Sequence, residues 1–160
     1  MNIAIVTGAS SGMGREFVLQ LNNYVRVDEI WVIARRLEAL ESLKKEVTTP
    51  VRPISLDLAD PSAFTALEQM LAEAKPNIKL LVNAAGFGKF GSHYRISPEE
   101  EAKMIDLNCK ALVLMTRLCL AYMEKGAHIY SWTASPPSSR CLTSPPTVPP
   151  KPSSSAIPGP

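Results

Sequence analysis

Along residues 1 to 130, short runs of β-branched and other apolar residues alternate with longer stretches whose apolar positions recur at helical spacing. The short runs predict strands at 2–7, 29–34, 51–56, 78–83 and 127–131. The longer stretches predict helices at about 12–23, 36–46, 61–74 and 99–124, with Asp60-Pro61 and Ser97-Pro98 as start signals. Strands that alternate with helices imply repeated β-α-β units, so the expected fold class is α/β, a doubly wound parallel sheet with right-handed crossovers. Pro53 falls inside the third strand, where it removes a ladder hydrogen bond. An edge strand tolerates that loss, and the order 3-2-1-4-5 puts the third strand at an edge.

Periodicity stops after Tyr130. Residues 131–160 hold nine of the chain's 14 prolines, many serines and no acidic residue. The division expected is therefore a domain at 1–130 and an irregular Pro/Ser-rich tail at 131–160, which has too little apolar surface to offset its chain entropy. The same stretch can also be read as a proline-rich ligand for an SH3-type groove.

Composition narrows the function classes. The 17 basic and 15 acidic side chains are interspersed and sum to +2, so no basic stripe points to nucleic acid or an anionic membrane as partner. Cys109, Cys119 and Cys141 are odd in number and lack metal-ligand spacing, which supports neither a disulfide framework nor a metal site and fits a reducing cytoplasm. Met1 to Thr7 run straight into a glycine-rich loop, too early for a signal peptide. The longest apolar stretch, Ala111 to Tyr122, contains Arg117 and falls short of the roughly 20 residues of a spanning helix. A soluble cytoplasmic protein is the expectation.

The candidate chemistry begins at that loop. Strand 2–7 is followed by Gly8-Ala-Ser-Ser-Gly12-Met-Gly14 and then by a helix, the order a dinucleotide site requires. Gly8 permits the tight turn, Gly12 lets the backbone approach a pyrophosphate, and Gly14 lets the helix pack on the strand. Ser10, Ser11 and Met13 complete the cradle, and free N–H groups at the helix start point at the phosphates. The T-G-x-x-x-G-x-G spacing of Thr7 to Gly14 differs from G-x-G-x-x-G and resembles the signature of the short-chain dehydrogenase/reductase family, whose fold is of the Rossmann type.

Further along, Asn83-Ala84-Ala85-Gly86 resembles that family's N-N-A-G motif, with Ala84 in place of the second asparagine. Asp57 and Leu58 close the third strand where the family holds the adenine ring; a helix-entry turn is the other reading. The resemblance implies a nicotinamide cofactor. Ala34 stands where an NAD-specific enzyme carries an acidic residue for the ribose 2′-hydroxyl, and Arg35 and Arg36 follow. Two guanidinium groups can pair with a 2′-phosphate, which favours NADP(H) over NAD(H), the alternative being the solvated start of a helix.

The resemblance also implies a reaction, hydride transfer between the dinucleotide and a small ketone or secondary alcohol. Its catalytic groups are a Ser, a Tyr with a Lys four residues later, and an Asn in the long helix that completes a proton relay; Asn108 matches the last. Tyr94, Tyr122 and Tyr130 are followed at that spacing by Pro98, Gly126 and Ala134, so Tyr-x-x-x-Lys is absent.

The genetic code offers a reason. Out-of-frame triplets across Pro146 to Lys151 are compatible with Tyr-Gly-Ala-Thr-Lys, those up to Ser153 with Ala-Phe, and the triplet at Thr133 and Ala134 with Ser, thirteen codons before the Tyr. A one-base change of frame shortly before residue 133 is inferred, leaving an oxidoreductase by descent that has lost activity. The alternative is a non-catalytic dinucleotide-binding module that presents a proline-rich tail. Phe87 to Tyr94 are expected to line part of a pocket. Helix 99–124 can pair copies into a homo-oligomer, or its Leu112, Met115 and Leu118 can be core.

Overall fold

The computed structural model describes residues 1–89 and 96–132. Five parallel strands, β1 (Asn2–Thr7), β2 (Glu29–Ala34), β3 (Val51–Ser55), β4 (Asn77–Asn83) and β5 (His128–Ser131), form one sheet in the order β3-β2-β1-β4-β5. That is the expected doubly wound order. β3 lies at an edge, and Pro53 sits opposite Val32. Leu56 N donates to Ala34 O, so by alternation the missing Pro53 N–H faces the open side and no ladder bond is lost.

The central strands are buried on both sides, which is why they read as continuous apolar runs rather than alternating ones. Ile3 and Ile5 of β1 join Trp31, Ile33, Ile78 and Leu81 on one face. That face is covered by α3 (Ser62–Ala74) through Leu67 and Leu71, and by α5 (Ala111–Leu120) through Met115 and Cys119. Ala4 and Val6 point the other way and pack under α1 (Gly12–Gln20) and α2 (Leu37–Ser42) through Val18 and Leu40. Both of these helices tighten into a 3₁₀ turn, at Leu21–Asn23 and Leu43–Lys45, which completes the spans expected at 12–23 and 36–46.

Local signals set the helix starts. Asp60 accepts a bond from Ser62 N at 2.9 Å at the entry to α3, and that N–H holds its carboxyl below the ordinary carboxylate value. Ser97 and Glu100 form a reciprocal capping box on α4 (Pro98–Ile105).

The single helix expected at 99–124 is instead two helices joined by a π-helical turn at Asp106–Lys110, and the second ends at Leu120. The π turn inserts one residue and rotates Asn108 toward the end of β4. The early stop frees Tyr122 O to accept from Ile78 N and lets Gly126, at φ 92°, turn the chain into β5. Met115 is buried and Leu118 packs against the same core, so this stripe is core, as one of the two readings had it.

Pairing runs slightly past the boundary expected at residue 130: Ser131 lies in β5, and Trp132 N donates to Asn83 O at 2.7 Å. The rest of the tail, Cys141 included, lies outside the described residues. So do Phe90 to Tyr94 of the expected pocket stretch. Among the described residues no helix is long and apolar enough to cross a membrane, and no cluster of His, Cys, Asp and Glu could hold a metal.

Candidate functional site

Strand order reverses between β1 and β4, and a cleft of about 350 Å³ opens there at the carboxyl ends of the strands. Ligands of doubly wound sheets bind at such a switch point. The floor of the cleft is the loop after β1. Gly8 takes φ 68°, and a Cβ there would lie 2.6 Å from Ala84 O, so the glycine permits both the turn and the close approach of the two loops.

Gly12 takes φ 57° with nothing within 4 Å of its absent Cβ, which leaves the backbone bare toward the cleft. Ser11 is the N-cap of α1 but makes no side-chain cap bond, so the first N–H groups of that helix remain available to an anion. Gly14 lies behind the cleft, not in it. A Cβ there would stand 2.5 Å from Gly8 O, so its smallness serves helix–strand packing.

The wall across from this loop comes from the end of β4. Ala84, Ala85 and Gly86 line the cleft. Asn83 does not. Its side chain is buried in the sheet, where Nδ2 donates to Thr116 Oγ1 at 3.1 Å and Ser131 Oγ at 3.4 Å, and its Oδ1 has no partner among the described residues. The two motifs are joined by Thr7, almost fully buried, whose Oγ1 accepts from Ala84 N at 3.1 Å and Ala85 N at 3.0 Å. Thr7 opens the glycine signature, yet only the fold shows it holding the opposite wall.

Asn108 meets the same wall from the π turn. Its Oδ1 accepts from Phe87 N at 3.0 Å and its Nδ2 donates to Phe87 O at 2.8 Å, as a neighbouring strand would. Gly86 passes so close that a Cβ would lie 2.9 Å from Asn108 Oδ1. Neither Asn108 nor Phe87 lines the cleft; Leu107 does.

At the other end lie the groups that would meet an adenosine. Asp57 and Leu58 both line the cleft with Ala34, joined by Ile33 and Leu56, which motif reading passed over because apolar strand ends carry no motif. Asp57 Oδ1 also accepts from Ala59 N at 3.1 Å, so the turn reading and the cleft reading hold together.

Arg35 and Arg36 stand on the rim, and Arg36 Nη2 reaches Ser10 Oγ at 3.4 Å and Ser10 O at 3.5 Å across the cleft. Among the described residues, Asp57 is the one carboxylate lining this space. The donor set, bare backbone N–H groups, two serines and two guanidinium groups, therefore suits a phosphorylated dinucleotide in size and charge. Arg15, by contrast, turns away to Ser42 and Glu46 on the α2 side.

Comparison with known proteins agrees with this geometry. A family model described as short chain dehydrogenase matches residues 2–129. The NADP-dependent 3-hydroxy acid dehydrogenase YdfG of Escherichia coli strain K12 is 36% identical over 135 residues, covering 79% of this chain and 50% of that protein.

Among solved structures, a metagenomic short-chain oxidoreductase in complex with NADP superposes with a TM-score of 0.69 at 29% identity, over 80% of this chain and 59% of that one. A short-chain dehydrogenase from Sphingobium yanoikuyae in complex with NADPH gives 0.64 at 26% identity, over 74% and 47%. The chain thus spans about half the length of the relatives it matches. The chain belongs to the short-chain dehydrogenase/reductase family.

Proposed function

We propose that residues 1–130 bind NADP(H) in preference to NAD(H), as the dinucleotide-binding part of an oxidoreductase that interconverts a small ketone and a secondary alcohol. The observation that carries the preference is the Arg36 guanidinium lying against Ser10 beside Arg35, with Ala34 where a carboxylate would repel a 2′-phosphate. When bound, the nicotinamide supplies the hydride. The chain's own residues bind and orient it. Backbone N–H groups at the start of α1 take the pyrophosphate, Ile33, Leu56 and Leu58 exclude water from the adenine end, and Ala84 to Gly86 shape the wall that leads toward the nicotinamide.

Asn108 matches the family's relay asparagine by sequence. Its clamp on Phe87 supports a positioning role there, which keeps the end of β4 at a set distance from the cleft. We further propose that this chain alone does not reduce carbonyls. A developing alkoxide needs a positioned acid, whose contribution is typically about 10²–10⁴-fold, and the sequence holds no Tyr-x-x-x-Lys to supply one. The change of frame before residue 133 accounts for that loss.

Titration with NADPH and NADH tests the first part. NADPH binds more tightly, and Arg35→Ala with Arg36→Ala removes the difference; equal affinities in the starting chain refute the assignment. NADPH oxidation against a panel of ketones tests the second, run on this chain and on a counterpart with the downstream frame restored. Comparable turnover by both refutes it.

A further inference from the structure

On the face that carries α1 and α2, the helices pack over β3, β2, β1 and the buried Leu80 and Val82 of β4, while β5 at the edge is exposed along its length among the described residues. A groove of about 440 Å³ occupies that place, between α1 and the edge strand. It is lined by aromatic side chains at an open surface: Phe17 and Tyr24 on one side, Tyr130 and Trp132 on the other, over a floor of Leu80. Phe17 stands 6.3 Å from Tyr130 and 6.2 Å from Trp132, centroid to centroid, and Tyr24, Tyr130 and Trp132 are 80%, 52% and 46% exposed. So much exposed aromatic surface in one groove marks a binding surface. Glu16 sits on its rim.

Spaced aromatic ridges beside an acidic group suit a polyproline II strand followed by a base, because proline rings fill the slots and no backbone order has to be created. The chain carries a sequence of that composition. Pro146-Thr147-Val148-Pro149-Pro150-Lys151 places two prolines three apart and a lysine two residues on, and residues 133–160 contain Arg140 and Lys151 but no acid to oppose Glu16.

Lengths agree as well. From Met13 to Tyr24 the groove follows α1 and its 3₁₀ turn for about 18 Å, at about 1.5 Å per residue in the helix and about 2.0 Å in the turn, and six residues of polyproline II span about 19 Å at 3.1 Å per residue. The tail leaves the sheet at Trp132, in the groove itself. The 12 intervening residues, 133–144, reach at most about 40 Å, more than enough to turn back.

We propose that the segment Pro145–Pro152 docks in cis on the groove between α1 and β5, with Lys151 beside Glu16. The contact depends on this chain's own sequence, whatever frame history produced it, and is independent of the cofactor assignment.

The test uses the full chain and a Pro146→Ala/Pro149→Ala variant, both substitutions lying outside the described fold, with a labelled peptide of residues 144–152 as probe. A tether of this length gives an effective concentration on the order of 1 mM. Against a groove with an intermolecular Kd on the order of 0.1 mM, the tail occupies about nine-tenths of sites, so the peptide binds the variant about tenfold more tightly than the full chain.

Tyr24→Ser, at a side chain with little packing to lose, abolishes binding to the variant. Lys151→Glu restores the variant's apparent affinity without the proline changes, and Glu16→Lys added to Lys151→Glu reverses that. The indole N–H resonance of Trp132 shifts between full chain and variant while that of buried Trp31 does not. Equal peptide affinities, or an unmoved Trp132 signal, overturn the proposal. A difference that disappears on dilution, with a dimer in sedimentation, overturns it in favour of a second copy.

Discussion

Thr7→Val removes one hydroxyl and keeps the side chain's shape, so it isolates the link between the two walls of the cleft. The oxygen accepts from Ala84 N and Ala85 N at 3.1 and 3.0 Å. Valine packs in the same space and suits a strand at least as well, so neither cavity nor propensity contributes a loss. What remains is two backbone donors without their acceptor, and Val82 O without the long bond it accepts from the hydroxyl at 3.4 Å. Each bond is worth about 0.5–1.5 kcal/mol, and both donors are half-buried, so water recovers part of it; the expected cost is about 1–3 kcal/mol in total. With an m-value of about 2 kcal/mol/M this moves the urea midpoint down by roughly 0.5–1.5 M.

The assay is urea unfolding followed by far-UV circular dichroism, alongside NADPH titration. Thr7→Ser keeps the oxygen and restores most of both readouts. An unchanged midpoint in Thr7→Val, or an equal loss in Thr7→Ser, refutes the idea that this hydroxyl holds the wall.

The glycines of the loop separate stability from binding: Gly12→Ala, with open space around the added methyl, costs about 1–2 kcal/mol of left-handed strain and abolishes dinucleotide binding. Gly14→Ala, which drives a Cβ against backbone at 2.5 Å, lowers the urea midpoint more than Gly12→Ala does. Asn108→Ala frees both the N–H and the carbonyl of Phe87, so faster hydrogen exchange at Phe87 accompanies weaker NADPH binding, and unchanged exchange counts against the clamp. Burial pushes the Cys119 thiol up from 9.0 to about 12. The folded state therefore favours the neutral thiol, and this stabilisation is complete below pH 9 and lost as pH rises toward 12, by at most about 1.4 kcal/mol per pH unit. Urea unfolding at pH 8 and pH 10 shows that loss in the starting chain and a smaller one in Cys119→Ala, and equal slopes refute it.

The features legible in the sequence are local or periodic ones. Continuous apolar runs mark strands buried on both faces, Asp60 and Ser97 mark helix starts within a residue or two, and the glycines of 8–14 act through their own backbone. A proline in the third strand even indicated which strand lies at the edge, since a missing N–H is tolerated only where no neighbour needs it.

Tertiary structure decided which of the motif residues share the cleft. Asn83 belongs to a motif but serves packing, because the direction of a side chain at a strand end depends on strands far away in sequence. The π turn at Asp106–Lys110 could not be read from spacing, since an inserted residue costs a helix little locally and is repaid only by the contact of Asn108 with Phe87 across 21 positions. The aromatic groove is of the same kind: Phe17, Leu80 and Trp132 lie far apart in the chain, and only the sheet order brings them to one place.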